Sequence, residues 1–239
     1  MSAIGGLLLT PQGWLRGTLV HDSGRIAAIL GEPVGDDAWR DSAEPIVLPG
    51  FIDLHVHGGG GADTMQGGMA IDSIARTHAR HGTTALLATT MTAPRSEIEA
   101  ALRALAGACT ERCDGAARVL GVHLEGPYIS PDRLGAQPAF AAAPSADDVL
   151  ALAALAPIRV VTLAPELPGA IEATAALVAA GIRVQIGHRK SVPQQCLFHQ
   201  IPAIIILRVN IGKRGQIILA VPDNFFEQAF SLFVNGDFG

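Results

Sequence analysis

From Pro49 onward, apolar runs of strand length alternate with Ala-rich runs whose apolar positions recur at helical spacing. The pattern predicts strands at about 51–57, 83–90, 117–124, 158–163 and 182–187, and helices at about 70–81, 95–107, 146–155 and 169–180. Such alternation implies βα units around a parallel sheet buried on both faces. Some helix ends carry their own signals. Ser145 ahead of Ala146-Asp147-Asp148 offers an N-cap oxygen and early negative charge, and Gly181 suits a helix C-terminus. Residues 1–48 carry shorter runs, Gly17-Thr18-Leu19-Val20 and Arg25 to Leu30, separated by Asp22-Ser23-Gly24 as a turn. They predict a small β segment ahead of the main domain.

Residue usage then breaks near the end of the chain. Residues 1–189 contain no Asn and no Lys, whereas the last fifty hold all three Asn, both Lys, six of the eight Phe and only three Ala. We therefore expect three regions: an N-terminal β segment (1–48), the first five βα units of a barrel (49–189), and an atypical tail (190–239) not native to what precedes it. A change of reading frame or joined foreign coding sequence near His188 or Arg189 explains the switch; one uninterrupted, family-like frame on resequencing refutes it. Within the tail, 203–211 and 216–221 flank Gly212-Lys213-Arg214-Gly215 in a hairpin-like pattern, to which this reading assigns only an accidental fit against an open barrel edge.

A net charge of −5 and a pI near 5.9 leave no clustered basic surface for nucleic acid. No apolar run approaches the roughly 18 residues needed to span a membrane. Met1 to Leu9 lacks the basic region of a secretory leader, so the expected compartment is the cytoplasm. Cys109 and Cys113, four apart, read as packing cysteines of a reducing compartment.

The chemistry gathers at strand ends. Pro49-Gly50-Phe51-Ile52-Asp53-Leu54-His55-Val56-His57-Gly58 is an apolar strand ending in His-x-His. Side chains alternate along a strand, so His55 and His57 share a face and can share a metal ion; the pair serves equally as strand-capping histidines bonded to carbonyls. Val119 to Pro127 ends in Glu125 before a Gly-Pro turn. A buried carboxylate must be neutralised or paired, by a divalent cation or by backbone amides or an Arg. His123 shares the Glu125 face, as a support for the ligands or a substrate contact. His188 closes a further strand, Ile182 to Gly187, and taken alone is more often structural. Together, His, Glu and His from separate βα units form an N/O donor set suited to zinc or a similar divalent ion.

The stretches Pro49–Gly61, His123–Gln137 with its Leu-Glu-Gly-Pro-Tyr core, Thr162-Leu163-Ala164-Pro165-Glu166 and Gly187-His188 resemble N-acetylglucosamine-6-phosphate deacetylases of the amidohydrolase superfamily, in order and over roughly residues 10–188. The resemblance implies an α/β fold, a (β/α)8 TIM-type barrel preceded by a small β-sandwich segment. It implies hydrolysis of the acetamide of an amino-sugar phosphate, one or two divalent ions, and a possible homodimer. By the same resemblance Glu125 and His188 bind the primary metal, and His55 and His57 hold a second where present. Ala136 and Gln137 contact the sugar, although some members carry histidine where this chain has Gln137.

Two family features have no counterpart. No Thr-His-Leu-Phe-Asn-like stretch follows His188, and the surroundings of His199 do not match one. No Thr-Asp-Ala-like stretch supplies the catalytic aspartate; neither Asp223 nor Asp237 fits. The barrel is thus expected to be incomplete, the catalytic base unknown and the activity impaired. An inactive truncated relic remains an alternative, as does another amidohydrolase acting on cyclic amides or dipeptides.

Overall fold

The computed structural model describes residues 1–111, 113–190, 204–210 and 216–220. Two compact units divide them near Gly50. In the first, β1 (Ser2–Thr10), β2 (Gly13–Asp22), β3 (Arg25–Pro33) and β4 (Ile46–Val47) form one sheet in the order β3-β2-β1-β4. The first three strands are an antiparallel meander, and β4 lies parallel to β1. The turn between β2 and β3 rests on Ser23 and Gly24, both at positive φ (49° and 77°). Two such residues in succession give the turn whose twist matches that of the flanking strands.

In the second unit, β5 (Phe51–Val56) leads to the short pair β6 (Gly58–Gly59) and β7 (Ala62–Asp63), then a 3-10 turn (Thr64–Gln66) and helix α1 (Met69–Ala79). There follow β8 (Thr83–Thr89), α2 (Arg95–Thr110), β9 (Arg118–Glu125), α3 (Ala146–Ala153), β10 (Ile158–Leu163), α4 (Ala170–Ala179), β11 (Arg183–Ile186), β12 (Ile204–Asn210) and β13 (Gln216–Ala220). The strands lie in the order β5-β8-β9-β10-β11-β12-β13. Pairing is parallel from β5 through β12, and β13 runs antiparallel to β12.

Alternation gives the sheet two different faces. Leu86, Ala88, Val122, Leu124, Val161, Leu163, Val184 and Ile186 belong to a core shared with Ile74, Ile98, Leu102, Leu105, Leu152 and Leu177 of the helices. The opposite face carries Thr89, His123, Glu125, Thr162 and Gln185, also buried. Buried polar groups need hydrogen-bond partners, and here the curl of the sheet lets them satisfy one another. The ring of His123 on β9 shows this curl, reaching past β8 to the Leu54 carbonyl of β5 (2.9 Å) on one side and to Thr162 of β10 (2.7 Å) on the other. The unit is α/β, a curled parallel sheet with helices outside, as in part of a TIM-type barrel.

In the second unit, the ends of the predicted elements lie within about three residues of those the sequence predicts, whereas in the first β1 is unforeseen and β2 begins at Gly13 rather than Gly17; Ser145 caps α3 through the Asp148 amide as expected. Two differences bear on the site. Strand β9 runs on through Glu125, so the carboxylate projects from a strand residue. His188 stands beyond β11 in a left-handed conformation (φ 47°). A third concerns the tail: β12 pairs with β11 and β13 with β12, so part of 190–239 extends the sheet that the sequence reading leaves at five strands. His199, Asp223 and Asp237 lie outside the described residues.

Candidate metal centre

The centre begins with an irregularity in β5. Its register against β8 shifts between Asp53 and Val56. The His55 amide turns to the Asp53 carboxylate (3.1 Å), the Val56 amide donates to Thr89 Oγ1 (2.8 Å), and the Leu54 carbonyl takes the His123 ring. Bulges of this kind re-aim side chains. Here the imidazoles of His55 and His57 come together, with Nε2 atoms 3.0 Å apart.

Glu125, 4% exposed, lies under both rings. Its Oε2 is 2.9 Å from His57 Nε2 and 3.4 Å from His55 Nε2, while its Oε1 faces His188 Nε2 at 3.3 Å. The two carboxylate oxygens therefore address different imidazole sets. The Gly126-Pro127 turn after β9 starts a segment laced to the neighbouring strand ends: the Ala164 amide donates to the Tyr128 carbonyl (2.9 Å) and the Ser130 amide to the His188 carbonyl (3.0 Å). A Cβ on Gly126, which has φ 74°, would stand 1.9 Å from Thr92 Oγ1, so this close approach needs glycine.

Hydrogen bonding fixes the tautomer of His188. A carbonyl can only accept, so His188 Nδ1, 2.9 Å from the Arg133 carbonyl, carries the proton there. In the neutral ring Nε2 is then a lone pair aimed at a carboxylate oxygen, a repulsive pairing that calls for positive charge between them. A proton supplies it when Glu125 raises the His188 pKa; a divalent cation supplies it without protonation. Burial pushes the Glu125 carboxyl up, and the hydrogen bonds from His188, His55 and His57 outweigh it, holding the group below the usual carboxylate range. His55, His57 and Glu125 offer ligand atoms all within 4.8 Å of one another. Among the described residues His57 Nδ1 is buried without a hydrogen-bond partner, and Nε2 is the nitrogen aimed into the centre. Once deprotonated at Nε2, these imidazoles offer lone pairs beside an ionised carboxylate, a donor set that fits a divalent cation.

His123 stands behind this group. It is fully buried, its ring meets His55 edge-on at 4.7 Å, and both nitrogens are occupied. Burial first, and then the His55 charge, lower its pKa to about 4. Of the two roles left open for it, support of the ligands fits and substrate contact does not. Ala136 is exposed beside the centre, whereas Gln137 is buried with its amide against Glu125 and Thr92. Thr162 enters from the sequence only as part of the Thr162–Glu166 stretch, with no role at the centre, and Thr92 does not enter at all. Thr162 was reachable, since alternation puts it opposite the core residue Leu163; nothing local marks Thr92.

The sequence profile of the amidohydrolase family matches residues 46–186, which hold β5 through β11 and the ligand atoms of His55, His57 and Glu125. The chain belongs to the amidohydrolase family. Within that family it is 41% identical over 193 residues to an N-acetylgalactosamine-6-phosphate deacetylase of Escherichia coli O157:H7, covering 79% of this chain and 50% of that one. It is 36% identical over 195 residues to an N-acetylglucosamine-6-phosphate deacetylase of Bos taurus, covering 77% and 46%. Among solved structures, an N-acetyl-D-glucosamine-6-phosphate deacetylase from Mycobacterium smegmatis superposes with a TM-score of 0.67 at 30% identity, covering 80% of this chain and 51% of that one. A mutant of the M. smegmatis enzyme in complex with N-acetyl-D-glucosamine-6-phosphate gives 0.72 at 27% identity, covering 90% and 58%. The chain spans about half the length of the curated relatives it matches.

Proposed function

We propose that this amidohydrolase hydrolyses the acetamide of N-acetylglucosamine-6-phosphate, adding water across the C–N bond to give acetate and glucosamine-6-phosphate, at an impaired rate in this form. The observation that carries the reading is the convergence of His55, His57 and His188 on the two oxygens of Glu125. The proposed ligands are Glu125 and His188 for a primary ion and His55 and His57 for a second, with zinc the ion best suited to an N/O set. Bound there, such an ion polarises an acyl oxygen and acidifies water. Glu125 contributes fixed negative charge in a buried site, and the Arg133 carbonyl holds the His188 ring so that Nε2 faces inward. Ala136, exposed at the rim, is the proposed sugar contact.

The impairment follows from the proton. The departing amine must receive one, and no Thr-Asp-Ala-like stretch provides its carrier. A positioned acid–base group is worth on the order of 10² to 10⁴ in rate. We further infer a homodimer, checked by light scattering, and a cytoplasmic location, checked by cell fractionation. The 41% match to the galactosamine enzyme favours a second reading in which the C4 epimer is the substrate.

Acetate release from both N-acetylhexosamine 6-phosphates by zinc-loaded protein, alongside Glu125→Ala, tests the activity. We expect slow release above the Glu125→Ala rate, with the glucosamine epimer preferred. Equal, background rates in both proteins would remove the enzyme reading and leave the inactive relic.

A further inference from the structure

Gln137 lies in the segment between β9 and α3, twelve residues past the carboxylate it touches, and is 7% exposed. Its side-chain oxygen accepts from the Thr92 amide at 2.6 Å, its Nε2 donates to Glu125 Oε2 at 2.7 Å, and its own amide donates to the Leu134 carbonyl at 3.0 Å. The amide orientation is dictated by its neighbours. A backbone N–H can only donate and an ionised carboxylate can only accept, so the carboxamide oxygen must face Thr92 and its nitrogen Glu125.

We propose that Gln137 is a positioning residue that fixes the rotation of the Glu125 carboxylate, and that it does not contact the sugar. The inference rests on the reading of Glu125 as a metal ligand. Of the two oxygens, Oε2 is the one between His55 and His57, and Gln137 grips that same atom, leaving Oε1 turned to His188. The grip is anchored through Thr92, one residue before the Ala93-Pro94 approach to α2, so it ties the carboxylate of β9 to the rim of β8. A side chain occupied at both ends and closed off from solvent has no surface to offer a hexose. Groups that hydrogen-bond a metal-ligating carboxylate typically govern affinity by roughly tenfold to a hundredfold.

The experiment is calorimetric titration of the full chain with Zn²⁺ alone, for the wild type, Gln137→Met and Thr174→Val. Methionine keeps the length and bulk of glutamine but neither hydrogen bond. Thr174, buried in α4 and bonded to the Ala170 carbonyl, reports the loss of an ordinary buried hydrogen bond away from the centre. We expect Gln137→Met to weaken Zn²⁺ binding by about tenfold or more and Thr174→Val to leave it unchanged. The visible absorption of the Co²⁺-substituted protein should change in Gln137→Met alone. Should Gln137→Met not fold, Gln137→Asn, whose shorter amide cannot span Thr92 and Glu125 together, is read for the same loss. Wild-type Zn²⁺ affinity in Gln137→Met would overturn the inference. If the wild type itself takes up no Zn²⁺, the metal-centre reading fails and this inference with it.

Discussion

Individual residues in this protein are chosen for what stands next to them. Gly126 follows the Glu125 ligand candidate, holds φ 74° and leaves no room for a Cβ beside Thr92. Gly126→Ala should cost roughly 2–4 kcal/mol, adding left-handed backbone strain to overpacking, as read by urea denaturation; a change below about 0.5 kcal/mol would mean that the turn relaxes without resistance. The types and spacing of His55, His57, Glu125 and His188 were legible in the sequence because strand alternation and burial leave such groups few explanations. Gln137 was legible only as a position in a family pattern. Its pairing with Glu125 and Thr92 depends on how a loop folds back, and no periodicity encodes that. Cys109 matches the packing role expected of it, with burial raising its thiol from 9.0 to about 11.

Elements were legible where their periodicity is long and their partners local. The four helices and five βα strands follow from alternating apolar runs, and Ser145 marks the start of α3 from sequence chemistry alone. The bulge in β5 was not, because a register shift is decided by the neighbouring strand and by what Thr89 offers the Val56 amide. The hairpin pattern of the tail does appear as β12 and β13, and β12 joins β11 in parallel; local pattern was visible there, and the choice of partner was not. Strands β5, β9 and β10 are joined across the inner face by His123. Thr162→Val removes the hydroxyl proton donated to His123 Nε2 and strands a buried acceptor, at a cost of about 1–3 kcal/mol. Thermal or urea unfolding measures this; a neutral result would show that the brace contributes nothing to the curl.

At the scale of the whole molecule, the curled parallel sheet places its polar face where four candidate ligands from three strand ends meet. Membership of the amidohydrolase family, matched over residues 46–186, and the distances around Glu125 both point to a divalent cation. Zinc binding by the full chain, compared with Glu125→Ala and His188→Ala, tests this most directly. The account predicts tight uptake of one or two Zn²⁺ by the wild type, loss in Glu125→Ala, which takes away the carboxylate that all three candidate imidazoles face, and weakened uptake in His188→Ala. Undiminished zinc binding in Glu125→Ala would contradict it.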